Sequence, residues 1–166
     1  LPNGDLLRGA VIPPSPRYAG ARGYGGRIER FDWDGNLVWA YDFSNNNVIQ
    51  HHDIVSMPNG NVIFMAWEAR SGTDSIQAGR NPATMLTNEL WSEFLVEVKP
   101  TGATTGDIVW EWHAWDHLVQ DFDNTKANFA TVADHPELID INFDTAFGDA
   151  DWIHFNGIAY NPTLDQ

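Results

Sequence analysis

The chain contains no cysteine, so no disulfide and no thiol chemistry operates within it, and cysteine usage leaves the compartment open. It is poor in positive charge. Nine Lys and Arg stand against 23 Asp and Glu, for a formal net charge of −14 and a pI near 4.4. That balance argues against nucleic acid or an anionic membrane surface as partner, since both need a basic face. It suits bound cations or salty surroundings outside the cell. No apolar run approaches the length of a membrane span and no stretch reads as a signal peptide, so no membrane insertion is expected. The first residue is Leu rather than Met, which leads us to expect processing or truncation at that end.

What is present points to strands. The 166 residues are 43% hydrophobic, enough for a core of ordinary single-domain size. Aromatics make up 13%, with eight Trp, a composition that favours sheets and broad binding surfaces over helical bundles.

The sequence repeats itself. "LPNGDLLRGA" at 1–10 lies over "MPNGNVIFMA" at 57–66; Asn-Gly accepts the positive φ of a tight turn and the apolar run after it reads as a strand. "DGNLVWAY" at 34–41 matches "TGDIVWEW" at 105–112, and each copy follows a strand-like run, "RIERFD" at 27–32 and "FLVEVK" at 94–99. These read as two related hairpins. A looser correspondence sets "HHDIVSMPNG" from His51 against "HFNGIAYNPT" from His154, pairing His51 with His154 and Asp53 with Asn156. Four strands per self-similar unit is the signature of a β-propeller blade. The expected fold is therefore all-β: about two antiparallel blades in one partial propeller domain over residues 1–166, completed by the remaining blades of the same protein. Two segments interrupt the pattern. Residues 68–91 are polar and turn-rich and read as a long loop. Residues 113–151 read as a long acidic insertion with a short helix near "HPELID", and such insertions tend to carry function.

Side chains at equivalent places in successive blades converge on the central channel. The recurrence of histidine at one repeat position, with Asp or Asn two residues on, makes His51 or His52 and His154 candidates for one pocket. A lone histidine at a strand start would more often be a hydrogen-bonded structural group. The spacing of Asp116, His117, Asp121 and Asp123 makes a cation site conceivable, although it matches no standard calcium loop.

The segments "HHDIVSMPNGN", "GDIVWEWHAWDHLVQDFD", "HPELIDINF" and "DWIHFNGIAYNPTLDQ" resemble the bacterial arylsulfate sulfotransferase family, six-bladed propellers that work outside the cytoplasm. The resemblance runs from about residue 25 to the end. Its most specific part is "DWIHFN", similar to the family's Asp-Trp-x-His-x-Asn-Ser motif, with Gly157 where Ser is usual. The resemblance implies a periplasmic or secreted enzyme that needs no cofactor and no nucleotide sulfuryl donor. A histidine attacks the sulfur of a phenolic sulfate ester, a phenol leaves, and an acceptor phenol takes the group from the sulfohistidine. The chemistry needs a neutral imidazole nucleophile, donors around the sulfuryl oxygens and a proton for the departing phenolate. By motif, His154 and Asn156 contact the oxyanion, and His51 or His52 does likewise or acts as acid or base. His52 directly precedes Asp53, whereas the internal alignment points to His51. The family's sulfurylated histidine and its sulfate-binding arginine follow the His-x-Asn motif, so both are expected beyond residue 166. This segment alone is accordingly expected to be inactive. Nothing in the motif marks His113, His117 or His135 as the nucleophile.

Two other classes share parts of the pattern. "TTGDIVWEW" also resembles the tryptophan-docking repeat of quinone-dependent dehydrogenase propellers, whose adjacent cysteine pair is absent here. A non-catalytic propeller that uses its acidic loops to bind Ca²⁺ or carbohydrate is the third reading.

Overall fold

A computed structural model describes residue 1, residues 3–143 and residues 150–166; positions 144–149, in the acidic insertion, lie outside the described residues. The chain is built from β-strands in chain order β1 (Leu6–Val11), β2 (Gly26–Phe31), β3 (Leu37–Asp42), β4 (Val48–Ser56), β5 (Val62–Ser71), β6 (Glu89–Gly102), β7 (Thr105–His113), β8 (Leu118–Val119) and β9 (Ile139–Asp140), with one short helix, α1 (Gly72–Gln77). Strands β1-β2-β3 form one sheet, antiparallel throughout, with Leu6 opposite Phe31 and Arg27 opposite Asp42. Strands β4-β5-β6-β7 form a second sheet. The small β8-β9 pair is parallel.

The repeat in the sequence is a repeat in space. Strand β1 follows the first Asn-Gly turn as β5 follows the second, and β2-β3 and β6-β7 are the two matched hairpins. The three-stranded sheet thus reproduces the neighbour order of the last three strands of the four-stranded one. The turns agree atom for atom. Gly4 N–H donates to Leu1 O at 2.9 Å and Gly60 N–H to Met57 O at 3.0 Å. Asp5 N–H reaches Asn3 Oδ1 at 3.2 Å and Asn61 N–H reaches Asn59 Oδ1 at 2.9 Å. Both glycines sit near φ +88°, at +89° and +87°, where a Cβ would strain the backbone.

Three local expectations are corrected. The matched Gly35 and Gly106 do not play one part: Gly35 is in the turn, whereas Gly106 lies inside β7 because β6 runs on to Gly102 and the chain reverses at 103–104. The stretch 68–91 is more than a loop. It holds the end of β5, the helix α1, a 3-10 turn at Pro82–Thr84 and the start of β6. Ser71 nucleates the helix, accepting from Asp74 N–H at 3.1 Å while its hydroxyl donates to Asp74 Oδ2 at 2.7 Å, a reciprocal cap. Near "HPELID" the structure has a 3-10 turn just earlier, at Val132–Asp134, and then β9.

By its contacts the chain forms two compact units. The first comprises Leu1–Trp67, Leu95–Trp112 and Phe155–Gln166; the second comprises Glu68–Phe94 and His113–His154. In the first, Ile28, Trp39, Ile49, Phe64, Met65, Val96 and Val98 are buried, and Phe43 meets Phe64 edge-on at 5.0 Å. In the second, Leu90, Ile141 and Trp152 form a cluster joined by Trp115, Leu118 and Ile139. Arg80, buried there, donates to Ile141 O at 2.5 Å, so the second unit carries its own core.

Candidate active site

Within the first unit, β4 carries the histidine doublet. His51 is fully buried and stacks on Trp67, rings 3.9 Å apart and 10° from parallel. His52 is half-buried, and its N–H donates to Gly23 O at 3.1 Å. The two Nδ1 atoms are 3.0 Å apart; one ring supplies the N–H and the other the lone pair. The His52 ring lies so close to Gly23 that a Cβ there would sit 2.0 Å from His52 Cε1. His52 also has φ +45°, a conformation that costs a non-glycine residue about 1–2 kcal/mol and that collects at functional sites. Of the pair, His51 is built into the core and His52 is held at a strained, more accessible position.

Strand β4 also holds the segment that carries Asn156. Asp53 accepts from Ile54 N–H at 2.9 Å through Oδ1 and from Ile158 N–H at 3.1 Å through Oδ2, a link across 105 residues. Phe155 stacks on Trp112, with ring centres 6.4 Å apart. The backbone on both sides of Asn156 is therefore anchored, while Asn156 itself is exposed. At Gly157 a Cβ would meet nothing within 4 Å, so packing does not forbid the Ser that the family motif has there.

Within the second unit, His154 does not lie in a regular strand as the repeat led us to expect; only Asp151 makes a bridge, parallel, to Trp91. Trp91 N–H donates to Ala150 O at 2.6 Å, and Trp152 is buried in the cluster with Leu90 and Ile141. This anchoring presents His154 at φ +47°, matching His52 rather than His51. Its Nδ1 lies 2.5 Å from Oδ2 of Asp151, which is 6% exposed.

The other histidines are placed differently. His113 stacks on Phe94 at 4.9 Å and shares Glu68 with Arg70. His135 pairs with Glu137 at 3.0 Å on the surface, holding that carboxyl below its usual range. The structure does not gather Asp116, His117, Asp121 and Asp123 into one cluster: among the described residues no group of three or more His, Cys, Asp or Glu is placed to hold a metal ion. Asp123 instead accepts from the Thr125 N–H and hydroxyl, which, together with Lys126, lowers its carboxyl. A cleft of about 420 Å³ in the first unit, lined by Arg30, Ser56, Met57 and Asn61 among others, shares no residue with the histidines.

Compared with known protein families, residues 12–166 match the model of Arylsulfotransferase. The chain belongs to the arylsulfotransferase family. Neither the curated proteins nor the solved structures compared with it include a match. Of the three functional classes the sequence allowed, membership in the arylsulfotransferase family supports sulfotransfer. Asp151, Gly23 and Trp67 were not singled out by the sequence reading. Asp151 alone left a signal there, standing three residues before the histidine in the motif. Trp67 and Gly23 act on the doublet only through pairing across the fold.

Proposed function

We propose that this chain supplies oxyanion contacts in an aryl-sulfate sulfotransferase of six-bladed propeller form, working in the periplasm or outside the cell. The enzyme moves a sulfuryl group from a phenolic sulfate ester to a phenol without a cofactor or nucleotide donor. A histidine elsewhere in the protein attacks sulfur through its ring nitrogen. The S–O bond to the aryl group breaks, and the phenolate leaves with the electron pair and takes a proton. The acceptor phenol then loses its proton, its oxygen bonds to sulfur, and the S–N bond breaks to restore the imidazole. In both steps charge collects on the three sulfuryl oxygens, and fixed donors there lower the barrier.

His154, Asn156 and His52 are the residues we assign to those oxygens. His52 takes precedence over His51 because His51 is buried under Trp67. The observation that carries the reading is the Asp53–Ile158 hydrogen bond. It ties the backbone two residues beyond Asn156 to the residue after His52 within the first unit, which supports a shared role for those two residues. An anion beside an imidazole favours the protonated ring, so a bound sulfate turns a contacting histidine into a donor. The test is transfer from p-nitrophenyl sulfate to phenol by the full-length protein, followed as released p-nitrophenolate. His154→Ala should lower the rate by about 10²–10³-fold, the usual effect of losing one oxyanion donor, and His135→Ala should leave it unchanged. Equal rates for the two variants would overturn the assignment.

A further inference from the structure

The two strained histidines have different partners at Nδ1. His52 faces another imidazole, whereas His154 faces a carboxylate. We propose that Asp151 is a positioning residue that fixes the proton of His154 on Nδ1 and thereby assigns Nε2 to the sulfuryl group. This inference rests on the sulfotransfer reading above.

A carboxylate oxygen accepts and, when ionised, cannot donate. A ring nitrogen 2.5 Å from Asp151 Oδ2 therefore carries the hydrogen, and the tautomer with a bare Nδ1 is excluded. Substrate chemistry then falls to Nε2, which donates to a sulfuryl oxygen when the ring carries its second proton. The carboxylate is in no position to follow the ring if the ring moves. Asp151 is bridged to Trp91 through the backbone, Ala150 O accepts from Trp91 N–H, and the next residue, Trp152, is locked in the core with Leu90 and Ile141. The ring meets the carboxylate from a residue with a left-handed backbone, φ +47°. Buried partner, rigid support and strained ligand-facing residue are the elements of a preorganised site, in which a second group orients the imidazole that touches substrate.

The His51–His52 pair shows what the arrangement adds. An Nδ1–Nδ1 hydrogen bond can run in either direction, so by itself it does not set the tautomer of His52. The Asp151–His154 bond sets that of His154. His154 is thus an imidazole with a predetermined face, suited to a fixed contact with a sulfuryl oxygen.

The test uses the full-length protein in three forms. Asp151→Ala should lower kcat for transfer from p-nitrophenyl sulfate by about 10²-fold, the scale expected when a reacting group is misplaced by about 1 Å, with a much smaller change in KM. Asp151→Asn, whose amide oxygen still accepts from Nδ1, should recover most of that loss. Imidazole ¹⁵N spectra should show His154 protonated at Nδ1 in the wild type and distributed between tautomers in Asp151→Ala. A wild-type spectrum with the proton on Nε2 and a bare Nδ1 overturns the proposal, as does an alanine variant with unchanged kcat. A wild type that transfers no sulfuryl group removes the sulfotransfer reading instead, and the spectrum still decides what Asp151 does. Should Asp151→Ala fail to fold, the asparagine variant and the wild-type spectrum carry the test.

Discussion

Trp39 in β3 and Trp110 in β7 hold the same place in one repeated motif, yet Trp39 is 1% exposed and Trp110 45%. The difference lies in what is packed against each strand. Trp39 Nε1 donates to Thr105 O at 3.1 Å, and Ala40 N–H to Ala103 O at 2.9 Å, so the first hairpin is covered by the turn of the second. Strand β7 stands at the end of its sheet, and Ile108 and Val109 beside Trp110 are exposed as well. The motif therefore encodes a surface for a neighbouring hairpin, and burial depends on that neighbour. The last aromatic of the motif diverges further. Tyr41 stacks on Trp39 at 5.8 Å inside the first copy, whereas its counterpart Trp112 packs on Phe155, between His154 and Asn156. One copy uses that position inside its own hairpin; the other uses it to hold Phe155.

The comparison can be broken most directly at the tryptophans. Trp39→Ala should cost about 3–5 kcal/mol, the usual loss for a buried aromatic, and Trp110→Ala should stay within about 0.5 kcal/mol, as for ordinary surface positions. Urea unfolding of both variants checks this, and equal midpoints would end the distinction between the copies. Next in size is Trp112→Leu, which removes an aromatic pair worth about 0.5–1.5 kcal/mol. It should speed amide exchange at residues 155–158 and slow transfer more than it lowers the unfolding midpoint; the reverse ordering would assign Trp112 to stability alone.

The smallest effect is a pH slope at Tyr41. Burial, then the charges of Asp107 and Glu111 in the second copy, push its phenol up. The folded chain keeps that proton at a pH where the unfolded chain has lost it. The contribution to stability is therefore complete below the ordinary tyrosine value of about 10 and is lost as pH rises toward the folded value. Urea midpoints measured at increasing alkaline pH should fall, and Tyr41→Phe should flatten that fall. An unchanged slope in the phenylalanine variant would show that the second copy exerts no such influence on the first.

Much of this was legible in the sequence because its cause is local. Asn-Gly demands a tight turn, alternating apolar residues demand a half-buried strand, and both recur, so the hairpins and their tryptophans could be placed before any coordinates. The grouping of strands into sheets was not legible, since β4 joins β5-β6-β7 through pairings that composition does not encode. Helix α1 was legible and overlooked: "SGTD" at 71–74 is a capping sequence within a stretch whose polarity suggested only a loop. The preference we propose for His52 over His51 was beyond the sequence. It turns on a backbone angle and on Trp67 and Gly23, which reach the doublet from elsewhere in the chain.

The left-handed backbone at positions 52 and 154 also has an evolutionary meaning. Glycine or asparagine would sit there more comfortably than histidine, so stability alone pushes both sites away from imidazole. A lineage freed from the need for this chemistry should lose these two histidines early, by drift toward residues that fold better. Persistence of both across related chains would support the catalytic role proposed for them.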